Sequence, residues 1–274
     1  MTACAPERDE LVEIEPGLTV PRFVLNWSRS APDEARRLVD RLPDVVQLPD
    51  NSVLAVGRGA ADLGIELARR RARRVVAMDM AKGRMELARR RLAGEALTPV
   101  VEIRPYGRGL RELGDERFGV LLAVDAFRRY GADRSSRHVE ELVLEMSSRL
   151  EAGGHLAIRF GPPWKAPYGG GVDSRLPWAH LLFPEPVIFD EFRRVRHGNH
   201  ARTFDDVGVN RITLDRFRRA MQATGLECVH FERNVSDRRA MAIANVICRV
   251  LPVDEYLTQN VYGVWRRTTA GGAK

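Results

Sequence analysis

A glycine-rich turn and a carboxylate about twenty residues beyond it are the residues best placed to do chemistry in this chain. The turn reads GRGAADLG, residues 57–64. Gly57 and Gly59 let backbone approach a ligand where a side chain would block it, and a helix behind the turn offers unpaired N–H groups. Asp79 ends the next apolar run. A carboxylate there can accept both hydroxyls of a ribose. The turn is not the dinucleotide GxGxxG, because Asp62 stands at the third glycine position. A second cluster, His197 and His200 followed by Asp205 and Asp206, has residue types that bind metals. Its spacing is unspecific without a helix to carry it, so no metal is expected.

Strand-like and helix-like segments alternate around the turn. Residues 52–57, 74–79, 100–104, 118–124 and 155–160 read as strands, and 61–71, 82–92 and 136–150 as helices. Single helices between strands imply a parallel sheet with right-handed crossovers. Residues 1–29 read as an N-terminal arm, and Ser30 with Pro32 as the start of a helix ending near Leu42. The rhythm breaks at 161–206, a stretch dense in Pro, Gly and aromatic residues that reads as a substrate lid. A helix at 213–224 and a strand at 226–231 follow. Residues 235–258 read as a second insertion with a helix at 239–251, 261–266 as the last strand, and 269–274 as a disordered tail. The main domain is expected to span 30–268.

The motifs resemble those of the class I S-adenosylmethionine-dependent methyltransferases over roughly 50–160 and 211–267. VLAVGRGAADLG (53–64) resembles that family's first motif, usually of the form VLDVGCGTGxLG, and VVAMDM (75–80) its second-strand motif. FGVLLAVDAF (118–127) resembles the strand-four motif, and LEAGGHLAI (150–158) the LKPGGxLxI turn before strand five. PWAHLLFPE (177–185) is similar to an insertion in some bacterial members; NRITL (210–214) and ATGL (223–226) resemble the C-terminal helix and strand six. The resemblance implies a Rossmann-like, seven-stranded, mostly parallel sheet with helices on both faces, the last strand antiparallel, and a lid after strand five. It implies S-adenosyl-L-methionine as cofactor, held by Gly57, Arg58, Gly59, Asp79, Met80 and Asp125. The departures are informative. Ala55 stands where the family usually has an acid, Arg58 replaces a small residue, Ala61 replaces a glycine, and Gly119 replaces an Asp. No carboxylate lies between Tyr106 and Arg111, where many members have one and this chain has Arg108 and Arg111. Each lost acid is electrostatically unfavourable to a cationic cofactor.

Methyl transfer to oxygen or nitrogen often uses a base over the methyl group. His180 and Glu185 are the candidates, with Trp164, Tyr168, Trp178 and Phe183 as an apolar substrate wall; a core histidine anchoring the lid is the competing reading of His180. The acceptor is expected to be a small molecule. The alternatives are a methyltransferase fold repurposed as a cyclase or isomerase, and a non-catalytic binding subunit that could form a homo-oligomer through the N-terminal arm. Net charge is +7, but Lys82, Lys165 and Lys274 are the only lysines, an arginine bias typical of a GC-rich bacterial genome. The basic run RRRARR (69–74) reads as the cationic end of a helix, and nucleic acid is not an expected partner. Cys4, Cys228 and Cys248 have neither disulfide nor zinc spacing. No apolar run approaches the ~20 residues of a membrane span. The polar N-terminus lacks signal-peptide character, and a cytoplasmic protein without membrane partners is expected.

Overall fold

The computed structural model describes residues 11–15, 18–57, 59–79, 82–106, 109–127, 138–170, 176–195, 201–207, 209–234, 246 and 253–268. Seven strands form one mostly parallel sheet in the order β5-β4-β3-β6-β7-β9-β8. They are β3 (Ser52–Gly57), β4 (Arg74–Asp79), β5 (Val101–Pro105), β6 (Phe118–Val124), β7 (Leu150–Phe160), β8 (Glu227–Arg233) and β9 (Val261–Arg266). The chain divides into two compact units, 1–124 and 125–274.

In the first unit, β3 pairs in parallel with β4 and β6, and β4 with β5. Every residue of β3 and β6 is buried. A parallel strand covered on both faces needs such a continuous apolar run rather than alternation. Helices α2 (Ala60–Arg69) and α3 (Lys82–Gly94) complete the β-α alternation. The chain enters differently from expectation. Strands β1 (Leu11–Glu15) and β2 (Leu18–Pro21) form an antiparallel hairpin, and α1 runs from Arg22 to Asp40. Ser30 therefore does not open the helix, and Pro32 lies inside it. An internal proline costs ~3 kcal/mol. That cost is offset because Ala31, Ala35, Leu38 and Val39 recur at helical spacing and are all buried.

In the second unit, β9 runs antiparallel to both β7 and β8. The turn expected at Glu151–Gly154 belongs to β7, where Gly153 donates to the Arg267 carbonyl and Arg267 to that of Gly154. Helices α4 (His138–Ser148) and α7 (Leu214–Ala223) are joined by Arg216, whose Nε and Nη2 grip both oxygens of Glu140 at 2.7 Å. Thr213 caps α7 by accepting from Arg216 N. Trp265 packs edge-on against Phe217 and Phe231 and is 5% exposed. The 161–206 stretch is more regular than expected, since it contains α5 (Ala179–Leu182) and α6 (Glu185–Val195). Pro186 sits in the first turn of α6, where no intrahelical N–H is needed. Ile188 and Phe189 bury with Phe204 and Val209 into a small core of their own. A four-residue helix α8 (Asp254–Leu257) precedes β9; the helix expected at 239–251 lies outside the described residues, apart from Val246. Among the described residues no helix is long and apolar enough to cross a membrane.

Candidate functional site

The parallel register of β3 and β4 brings the turn and the acid together. Gly57 follows the last β3–β4 pair, Val56 with Met78, and Asp79 ends β4. Gly57 and Gly59 have φ of 111° and 84°, in the left-handed region that a side chain would strain. The glycine that seats α2 on the sheet is Gly64. A Cβ there would lie 3.1 Å from both Ala77 Cβ and Val101 Cγ1. Ala55 lies buried between Ala77 and Leu122 in the register, so no charge stands at that step of β3. Arg58, Met80 and Arg108 lie outside the described residues.

Asp79 is fully buried and fully engaged. Its Oδ2 accepts from Gly59 N at 2.9 Å. Arg84, five residues on in the first turns of α3, donates to Oδ1 from Nε at 3.1 Å and Nη2 at 2.7 Å, with Nε also 3.3 Å from Oδ2. Arg91, two helical turns further along α3, pairs with Asp62 in the first turn of α2. Asp62 is 5% exposed. Burial, with the Asp79 charge adding to it, pushes its carboxyl up to about 6 against the pull of Arg91 and Arg84. Two buried acids thus face two arginines of one helix. The turn's backbone suits a nucleoside, whereas the Asp79 oxygens that would take its hydroxyls are already held by Gly59 and Arg84.

Within the second unit, Trp164, Lys165, Trp178, Leu181, Leu182 and Tyr256 line a cavity of about 570 Å³. It is an open depression rather than an enclosed pocket, since Leu181, Leu182 and Tyr256 on its rim are exposed. Trp178 holds φ 58° and donates from Nε1 to the Lys165 carbonyl at 3.1 Å. The Lys165 ammonium lies 5.7 Å from the centre of the Tyr256 ring. Of the four aromatic residues expected in the substrate wall, Trp164 and Trp178 line this cavity. Tyr168 and Phe183 do not, and each is about half exposed.

His180 sits edge-on to Trp164 with ring centres 4.7 Å apart, and its Nε2 meets the Trp164 carbonyl at 2.5 Å. A carbonyl partner fixes the hydrogen on Nε2 and leaves the lone pair of the neutral ring at Nδ1. Burial holds its pKa below the ordinary histidine value, with the Trp164 bond opposing. Glu185 opens α6. Its Oε2 accepts from Phe204 N and its Oε1 from Arg211, whose guanidinium lies 5.6 Å from the Trp164 ring centre. Neither residue lines the cavity: His180 packs against its Trp164 wall, and Glu185 holds Arg211 beside that same ring. Asp125 follows β6 with φ 49°, and its N–H donates to the Arg159 carbonyl. His197 and His200 lie outside the described residues, among which no group of three metal-ligating side chains occurs.

Arg84 and Lys165 were not anticipated from sequence. The one signal for Arg84 is a cation five residues after the acid, which looks like any solvated position on a helix. Lys165 carried a clearer mark, as one of only three lysines in an arginine-rich chain.

The fold is shared with known proteins. Geranyl diphosphate C-methyltransferase from Streptomyces coelicolor A3(2), in a complex with S-adenosyl-L-homocysteine, is 16% identical, with 90% of this chain and 83% of that chain covered and a TM-score of 0.55. The [4+2]-cyclase SpnF is 15% identical, covering 89% and 83%, with a TM-score of 0.54. The chain has the class I methyltransferase fold. No protein-family model and no curated protein sequence matches it.

Proposed function

We propose that this chain is an S-adenosylmethionine-dependent methyltransferase acting on a small, largely apolar molecule. The observation that carries the reading is the pairing of a left-handed Gly57/Gly59 turn with Asp79 at the ends of adjacent parallel strands. The cofactor supplies an already activated methyl group, so the protein's task is mainly to position the acceptor and remove a proton. Trp164 and Trp178 provide apolar faces for a ring or chain, and Lys165 a cation for an acidic group on the acceptor. His180 is the candidate base through Nδ1, kept neutral by its burial; Glu185 acts as a positioning residue through Arg211. The backbone of Gly57 and Gly59 completes the proposed cofactor contacts.

A second reading is favoured by Arg84. Its grip on the ribose acid suits a chain that has kept the scaffold for a non-methylating reaction or for binding alone. The likeness to a cyclase of the same fold supports the same alternative. Calorimetric titration of the full chain with S-adenosylhomocysteine, followed by incubation with methyl-labelled S-adenosylmethionine and a panel of aromatic acceptors, tests the first reading. Binding that is lost in Asp79→Ala, with label appearing in an acceptor, supports it. No binding at millimolar concentration refutes it.

A further inference from the structure

The first unit contains a device at the nucleoside site that the fold does not require. A carboxylate offers about four lone-pair directions. On Asp79, the Gly59 N–H and the Arg84 fork already take the two oxygens, and the side chain has no exposed surface. A ribose brings two hydroxyl donors that need those same oxygens. The guanidinium cannot yield by losing its proton, because it stays charged at any pH a protein meets. Nor can it share the acid freely, since Arg84 is itself buried, with its side chain only 10% exposed.

We infer that Arg84 is a latch on this site, competing with the ribose diol for Asp79, so that a nucleoside enters only the fraction of molecules in which Arg84 has withdrawn. The inference rests on the cofactor reading given above and adds to it a residue that sets affinity. Apparent affinity is lowered by the fraction of molecules that are competent to bind. The Gly59 N–H bond to Asp79 ties the turn into the same equilibrium, since the acid that Arg84 holds also holds the loop. Arg91, on the same face of α3, keeps its own acid, Asp62, so release of Arg84 need not release the helix.

The test is calorimetric titration of S-adenosylhomocysteine and of adenosine into the full-length chain and its Arg84→Met variant, with circular dichroism as the check on folding. The latch predicts at least tenfold tighter binding of both ligands by the variant. It also predicts a larger ligand-induced rise in Tm than in the native chain, because the ribose then supplies the partners that Asp79 has lost. A merely structural role would weaken binding instead. Equal affinities in the two proteins overturn the latch and leave the cofactor reading standing. Absence of binding in both at millimolar concentration overturns the latch and the cofactor reading together. Binding by the variant alone upholds the latch and moves the native chain to the non-methylating alternative. If Arg84→Met does not fold, Arg84→Gln decides, since it keeps one donor to Asp79 without the charge: tighter binding than native supports the latch, and equal or weaker binding overturns it.

Discussion

Replacing Asp62 with asparagine should remove one segment of the pH dependence of stability. The Asp62 carboxyl is 5% exposed, and burial raises its pKa from 3.8 to about 6 despite the neighbouring Arg91. In the unfolded chain it titrates near its ordinary value. Between about pH 4 and pH 6 the folded chain therefore holds more of this proton than the unfolded one, and stability must fall as pH rises through that window. Two pKa units at 1.36 kcal/mol each amount to about 3 kcal/mol. The asparagine variant has no proton to lose there, while every other titrating group is common to both proteins. The native-minus-variant difference in unfolding free energy should thus drop by about 3 kcal/mol between about pH 3 and pH 7. Urea denaturation at half-unit pH intervals measures it. A difference that is flat across the window, or that rises with pH, refutes the claim that desolvation outweighs the Arg91 pair.

Other substitutions give sharp expectations. Gly169→Ala would put a Cβ 2.1 Å from the carbonyl oxygens of both Pro163 and Trp164. It should cost about 3 kcal/mol or more in thermal unfolding, the upper end of what overpacking does. Trp178→Phe removes the donor to the Lys165 carbonyl and should cost about 1 kcal/mol while leaving an apolar cavity face. Glu185→Gln weakens a partly exposed pair with Arg211 and should change stability by less than about 1 kcal/mol. Turnover in that variant should stay within a few-fold of native, and a loss of a hundredfold or more would make Glu185 a catalytic base. His180→Gln should abolish turnover while adenosylhomocysteine affinity is unchanged; retained turnover removes His180 from the chemistry.

The legible parts of the fold were those where burial forces a continuous apolar run. Residues 52–57, 74–79, 118–124 and 261–266 have the same bounds in sequence and structure because their buried interiors are continuously apolar, and a change to polar or turn residues marks where each run stops. The entry to the chain was misread for a local reason: Pro32 carries a strong helix-start signal, whereas the helix through it is held by a buried face that propensity does not weigh. Helix α6 was masked by Pro184 and Pro186, which punctuate the sequence yet flank and open a helix. At the site, glycine and aspartate types with a fixed spacing identified the turn and the acid. What occupies the acid could not be read the same way. An arginine at position 84 has no sequence mark that separates a solvated side chain from one folded back onto Asp79, because that choice is made by tertiary packing.

Three of the four tryptophans give this molecule two optical channels. Trp265, enclosed by Phe217 and Phe231, sits in surroundings that make indole emission blue and insensitive to solvent quenchers, so its signal follows the integrity of the second unit. Trp164 and Trp178 face the cavity, and their emission should change when something fills it. A protein with both Trp27→Phe and Trp265→Phe would therefore report acceptor occupancy without a label, allowing a collection of candidate compounds to be screened by fluorescence before any methyl group is followed.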